Sequence, residues 1–427
     1  MAHIGIVCPS ETGHLNPMLG LGRELQKRGH NVTIFQLLDT QQKVVSSGLQ
    51  CHVIGKSEFP IGSMLQRAAM LGKLSGIAGV RYTIEFGKRE VAMTLRELPD
   101  AIKAAHIDIL LIDQAKREAG SVAEFLDIPF ISVCNALIFN VESRIPPGFT
   151  TWSYNPSWWA SARNQIGYSL IKRLAQPILA LVKDYRQQCN LSPHTSTNDA
   201  YSKLAQISQQ PAEFEFPRQH LPSCFHFTGP FVDSASREPV YFPFEKLTGQ
   251  PLIYASMGTL QNRQEEIFHC VAEACVGLDA QLIISLGGGN TPESMPKLPG
   301  TPLIVGYSPQ LELLKRTTLT ITHGGLNTVL ESLSYGVSMV TIPITNDQPG
   351  VAARLAWTGA GEILPLSRLS VRKLRDTVQR VLTEDSYKKH TVRLQEAIRR
   401  AGGLKRAADI IEKVVSTGKP VLKTMGE

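Results

Sequence analysis

Residues 320–336, TITHGGLNTVLESLSYG, pass from a β-branched run through His323, Gly324 and Gly325 to Asn327 and Thr328, then repeat apolar residues at helical spacing. Polar side chains at the opening of a helix suit an anion, because the first N–H groups lack intrahelical partners and the helix dipole is positive there. The two glycines permit a close backbone approach. Glu331, four residues beyond Asn327 on the same face, would reach a polyol attached to a phosphate in that corner. A plain structural corner fits the same letters, since Asn327 is a good N-cap and Thr328-x-x-Glu331 has capping-box spacing.

Three other apolar runs in this half end in small or polar residues. Ser256, Gly258 and Thr259 offer amides and hydroxyls to a diphosphate. Tyr307 and Gln310, either side of Ser308 and Pro309, offer a π-face and an amide to a base. Asp347 and Gln348 offer a carboxylate and an amide to sugar hydroxyls. A turn at Ser256, core packing of Tyr307 and a helix cap at Asp347 are the ordinary alternatives. In an open parallel sheet, however, ligands collect beyond the carboxyl ends of the strands, and all four sets fall there.

The elements that would position them alternate along the chain. HIGIVCP reads as a strand, LNPMLGLGRELQKRGH as a helix and NVTIFQL as the next strand, a βαβ unit that implies parallel pairing. The alternation continues through GLQCHVIG, helical residues 64–105, IDILLID, REAGSVAEFLD and IPFISVCN. It lapses in the proline-dense stretch 211–251 and restarts at PLIYASMG. The expected architecture is α/β, with two Rossmann-like, doubly wound domains facing a cleft. The boundaries are 1–228, a linker at 229–250, a second domain at 251–404, and a tail at 405–427 that could return to brace the first domain. Residues 145–188 break the pattern with Trp158-Trp159 and a basic amphipathic stretch. An insertion over the cleft, a membrane-surface helix and a helical hairpin packed on the sheet all fit.

Length and composition support this division. The 427 residues exceed one ordinary core, and 43% hydrophobic with 19% charged residues is globular. The net charge of +7 could serve nucleic acid, an anionic membrane or a phosphorylated ligand, but without a long basic block it gives mild support for an anionic ligand only, and a basic solvated surface explains it equally. Seven cysteines without a Cys-x-x-Cys pair read as reduced thiols of a cytoplasmic protein, with no metal site. The amino-terminal residues lack a secretory leader, and no run approaches the ~20 apolar residues of a spanning helix.

In order, Tyr307-Ser308-Pro309-Gln310, then His323 through Glu331, Gly336 through Pro343, and Asp347-Gln348 resemble the donor signature of UDP-dependent glycosyltransferases of the GT-B fold. Tyr307 stands where tryptophan is usual, Leu326 where tryptophan is frequent, and Gly324 where cysteine is frequent. These differences, with GHLNPMLGLGRELQKRGHNVT near the start, look like a bacterial branch that includes macrolide and zeaxanthin glucosyltransferases. The resemblance implies that Tyr307 stacks on uracil, Gln310 contacts the base and Glu331 holds the ribose. It implies diphosphate contacts from His323, Asn327, Thr328 and Ser256, and sugar contacts from Asp347 and Gln348. The co-substrate would be a UDP-sugar, with glucose resting on Asp347-Gln348, and no cofactor is implied.

His14 follows the first strand, ahead of the helix, where an imidazole can take a proton from a hydroxyl. Asp113 ends IDILLID, where a carboxylate needs a partner, and in the resembled family an aspartate there orients the histidine. Capping would explain either residue alone. The expected reaction is a single displacement with inversion at the sugar. It would be independent of metal, since the chain has no Asp-x-Asp. Apolar residues at 59–79 and at Trp158-Trp159 suggest a hydrophobic acceptor such as a carotenoid, polyketide or phenolic, although core packing also explains them.

A nicotinamide dehydrogenase would use Asp39 for a ribose, but the first turn lacks Gly-x-Gly-x-x-Gly, with Gly20 and Gly22 inside the helix. SLGGGNTPE is glycine-rich but interrupted by prolines. A sugar-nucleotide epimerase or a silent helper protein on the same fold stays open at this level.

Overall fold

A computed structural model describes residues 1–74, 76–259, 265–288 and 290–423; parts of SLGGGNTPE, of the apolar stretch 59–79 and of the tail lie outside the described residues. Runs such as ILLID, buried at every position, are strands covered on both faces, as parallel sheets require. The first sheet contains β1 (His3–Val7), β2 (Asn31–Gln36), β3 (Gln50–Val53), β4 (Ile109–Asp113), β5 (Phe130–Cys134), β6 (Gln206–Ser208) and β7 (Phe225–Phe227). Their order is β3-β2-β1-β4-β5-β6-β7, and every pairing is parallel.

The second sheet contains β8 (Leu252–Ser256), β9 (Gln281–Ser285), β10 (Leu303–Val305), β11 (Thr317–Thr322), β12 (Ser338–Thr341) and β13 (Gly361–Ile363). Its order is β10-β9-β8-β11-β12-β13, again parallel throughout. Two doubly wound, Rossmann-like sheets are therefore present, as the alternation indicated.

In each sheet the winding reverses beside the first strand, and the residues beyond that point open a crevice. Val7 is in register with Ile112, so the segment after β1 meets the end of β4. Thr322 is in register with Ser256, which brings the HGG corner beside the SMG corner.

The helix after β1 spans Thr12–Lys27, earlier than the apolar spacing from Leu15 suggested. Glu11 is its N-cap, and the Glu11 carbonyl accepts from the N–H groups of His14 and Leu15, both at 2.9 Å. His14 thus sits in the first helical turn rather than ahead of the helix. Pro17, inside this helix, has no N–H to give the carbonyl four residues back, that of Gly13.

The closing helix Gly403–Thr417 packs its Ala407, Ala408, Ile411 and Val414 into the core of the first sheet. Arg28 ties it down through Asp409 at 2.6 Å and Glu412 at 2.8 Å. Residues 145–188 form a loop and two helices, Trp158–Leu174 and Gln176–Gln188; the second packs on Gly76–Ala104.

The halves meet through a shared core in which Leu137 and Phe214 join Leu326, Val329, Leu330 and Leu355. Glu215 pairs with Arg354, and Gly350 N–H donates to the Gly148 carbonyl at 2.8 Å. A side chain at Gly350 would overlap that carbonyl.

Candidate active site

Asp113 is almost wholly buried, yet its charge is fully partnered. Oδ2 accepts from His14 Nδ1 at 2.8 Å and from Asn135 Nδ2 at 2.7 Å, while Oδ1 accepts from Ala115 N–H at 2.8 Å. The carboxylate therefore caps the short turn Gln114–Lys116 and at the same time accepts from the imidazole. With Nδ1 committed to Asp113, Nε2 is the nitrogen left for the cavity. Burial opposes a charge on His14, but the nearby Asp113, aided by its hydrogen bond and by Glu11 and Asp347, outweighs it and raises the imidazole to about 9.

Across the cleft, His323 stands in the corner after β11 between two glycines. A Cβ at Gly258 would lie 2.6 Å from its Cε1, and one at Gly325 2.6 Å from its Nε2. Gly258 also has φ +76°, so glycine meets both a steric and a conformational need there. Burial pushes His323 down to about 4, which keeps the ring neutral at ordinary pH and limits it to donating one hydrogen bond.

The helix Leu326–Ser334 points its amino end into this corner, with Gly325 as N-cap and no side-chain cap. The capping readings of Asn327 and Thr328-x-x-Glu331 are thereby displaced. Asn327 Nδ2 donates to the Gly13 carbonyl at 2.7 Å, and its Oδ1 accepts from Gln209 Nε2 at 2.8 Å. Thr328, Ser256 and Thr259 line the same space.

Glu331 is buried and held by Gln310 Nε2 at 2.7 Å and by an ion pair with Arg237. Tyr307 lies half-exposed at the rim, while Ser308 is buried beneath it, bonded to Tyr254 at 3.0 Å and Ser285 at 3.1 Å. Asp347 is the N-cap residue of Gln348–Thr358 without a capping bond; its carboxylate accepts from Leu137 N–H at 3.2 Å. Gln348 spends its Oε1 on the N–H groups of Ile344 and Thr345, which fixes the loop before the helix.

One cavity of about 1460 Å³ joins these groups: His14 and all the donor-side residues named from the sequence line it, with Asp113 behind His14. Beyond His14 the lining becomes apolar, with Met64, Leu71, Val91, Phe139 and Ile171. Near His14 it carries paired charges, Arg67 with Glu11 and Lys116 with Glu90. An apolar molecule with a hydroxyl end could enter there, while an anion at the helix terminus would sit opposite.

Two members escaped the sequence reading. Asn135 follows β5 as Asp113 ends β4, so the strand-end rule would have found it. Arg237 lies in the aperiodic linker, where no spacing signals a role. Asp39 is no ribose ligand: its carboxylate accepts from the N–H groups of Gly62 and Met64, fixing the start of the helix Ser63–Lys73. All seven cysteines are unpaired. No helix among the described residues is long and apolar enough to cross a membrane.

Two facing Rossmann-like halves with this cavity between them form the GT-B fold. The calicheamicin glycosyltransferase structure has the same fold, with TM-score 0.74 at 21% identity, covering 98% of this chain and 100% of that one. The sequence profile of the UDP-glucoronosyl and UDP-glucosyl transferase family matches residues 82–405, and the chain belongs to that family. It is 32% identical to the zeaxanthin glucosyltransferase of Pantoea ananas, over 100% of this chain and 99% of that protein. It is 30% identical to the demethyllactenocin mycarosyltransferase of Streptomyces fradiae, over 97% of this chain and 87% of that protein. The chain is accordingly an enzyme that transfers sugar from a nucleotide sugar to a small-molecule acceptor, and the dehydrogenase, epimerase and helper readings fall away.

Proposed function

We propose that this enzyme moves a hexose, glucose by preference, from a UDP-sugar to a hydroxyl of a hydrophobic small molecule with inversion at the anomeric carbon. Residues 1–228 with the returning tail would receive the acceptor, and residues 251–404 the donor. The single supporting observation is the opposition, across one cavity, of the His14 and Asp113 pair and the uncapped helix beside His323. The acceptor hydroxyl gives its proton to His14 Nε2 while its oxygen bonds to the anomeric carbon. The bond from that carbon to the diphosphate breaks, and UDP leaves with the electron pair.

Charge developing on the leaving diphosphate meets the N–H groups that open Leu326–Ser334, beside a neutral His323 whose one N–H is held by the Ser256 backbone. Tyr307 stacks on the uracil, Gln310 and Glu331 serve the nucleoside, and Asp347 and Gln348 the sugar. The glucose preference draws on Asp347-Gln348 and on the name of the Pantoea relative. No divalent metal is required in this scheme, a reading supported by the absence of Asp-x-Asp in the chain.

The test is His14→Ala assayed with UDP-glucose and a promiscuous phenol. Turnover should fall by roughly 10²-fold or more, the scale of lost general-base catalysis, while UDP still binds. Near-normal turnover would overturn the base assignment, and a product retaining the donor's anomeric configuration would overturn inversion.

A further inference from the structure

Two helices flank the apolar end of the cavity, each with one face in the cavity and another in solvent. Ser63–Lys73 turns Met64, Ala68 and Leu71 inward; Leu65 is 70% exposed, and Ile61, just ahead of the helix, 76%. Trp158–Leu174 turns Tyr168 and Ile171 inward and seats Ala160, Asn164 and Gly167 against the protein. Its outer side carries Trp158 at 82% exposure, Ile166 at 72%, Leu170 at 54%, and also Trp159 and Leu174. Trp159, Ile166, Leu170 and Leu174 follow at intervals of seven, four and four, which makes one stripe along the helix.

The two stretches that carry this apolar face are free of acids, although Glu58, Glu85, Glu142 and Asp184 border them. Residues 143–183 contain Arg144, Arg163, Lys172, Arg173 and Lys183 and no acid, and residues 59–84 contain an exposed Arg81 and no acid, their Arg67 being paired with Glu11 in the cavity. Spread evenly, the chain's 37 acids would put about six in these two stretches. Lys172 and Arg173 are exposed, and the Arg163 guanidinium lies 4.2 Å over the Trp152 ring.

We propose that this face docks on an anionic phospholipid bilayer, so that the acceptor end of the cavity opens toward lipid and an apolar acceptor enters from the membrane. Indole rings favour the headgroup level, and an amphipathic helix with cations on its flank lies in that plane with its apolar stripe toward the acyl chains. A second copy of the chain is a poorer occupant, because a two-fold contact sets the same cations against one another. The direction of acceptor entry rests on the acceptor reading above, whereas docking rests on this surface alone.

The experiment is co-sedimentation of the full chain with phosphatidylcholine vesicles and with vesicles that also contain phosphatidylglycerol. The wild type should bind the mixed vesicles and lose most of that binding at high salt. Leu65→Glu with Leu170→Glu and Leu174→Glu should weaken partitioning by about tenfold or more, since three apolar anchors become anions. Lys172→Glu with Arg173→Glu should erase the preference for anionic vesicles, also by roughly tenfold. UDP affinity and the melting midpoint should be unchanged in both variants, which shows that they fold.

Equal binding by wild type and variants, or none by either, would overturn the proposal. A lipid-free dimer that the glutamates dissociate, seen by sedimentation, would assign the face to a second copy and overturn it too. Failure to dock with glycosyl transfer intact sinks this inference alone, whereas a wild type that binds no UDP sinks the functional reading.

Discussion

Asn327 Nδ2 donates to the carbonyl of Gly13 at 2.7 Å, and that carbonyl is available because Pro17, four residues on, has no N–H to offer it. A missing hydrogen bond in the helix behind the proposed base is thus filled from the helix proposed to hold the diphosphate. The carboxamide oxygen is also engaged, by Gln209. Both polar ends of Asn327 therefore join the two halves, although the family resemblance gives it to the phosphates.

Asn327→Ala should accordingly act on closure more than on nucleotide affinity. Loss of two interdomain hydrogen bonds, each contributing about 1 kcal/mol, should lower kcat/KM by roughly thirtyfold. UDP affinity by calorimetry should stay within about threefold, since uniform binding is not what the change removes. A large loss of UDP affinity would return Asn327 to the phosphates.

The raised imidazole of His14 sets the pH dependence. Only its neutral form can accept a proton, so kcat/KM should climb about tenfold per pH unit through neutrality and level off above about 9. Asp113→Asn removes the charge that holds the proton on His14, leaving burial to oppose it. The limb should move to lower pH, and the plateau should drop because the conjugate acid formed in the reaction loses its partner. A limb that stays in place would show that another group titrates. By linkage, the same raised value stabilises the fold fully below about 6.5, and that contribution disappears as pH rises through about 9.

The strand ends were legible because an apolar run broken by a polar residue marks where a buried strand leaves the sheet, and Ser256, His323 and Asp113 all obey that rule. Adjacency was not legible: β1 meets β4 across about a hundred residues, and no local pattern encodes that register. The start of the first helix was missed because Thr12 and Gly13 carry no apolar spacing, and a helix opening on a glutamate backbone carbonyl leaves no capping side chain to notice. Arg237 was hidden because it belongs to an aperiodic linker, while its partner Glu331 lies in another element. The outer stripe of Trp158–Leu174 could be seen as amphipathic, but its inner face toward the cavity required the fold.

Glu215 and Arg354 join the halves in an environment that excludes water almost completely, with Arg354 Nη2 2.6 Å and Nε 2.8 Å from Glu215 Oε1. Burial opposes the charge on Glu215, but Arg354 and then Arg218 overcome it and hold the carboxyl below its usual range. The guanidinium is also stacked 4.5 Å over the Phe216 ring. Removing one partner strands the other, so Glu215→Ala should cost about 3–5 kcal/mol by urea denaturation. Because the pair spans the two halves, the variant should also split one unfolding transition into two. Glu215→Leu with Arg354→Met replaces the closest pair by apolar groups and should recover part of the loss, the remainder reporting on Arg218, which still loses its carboxylate. If the double variant proves as unstable as the sum of the single ones, the cost belongs to packing around Phe216 rather than to the ion pair.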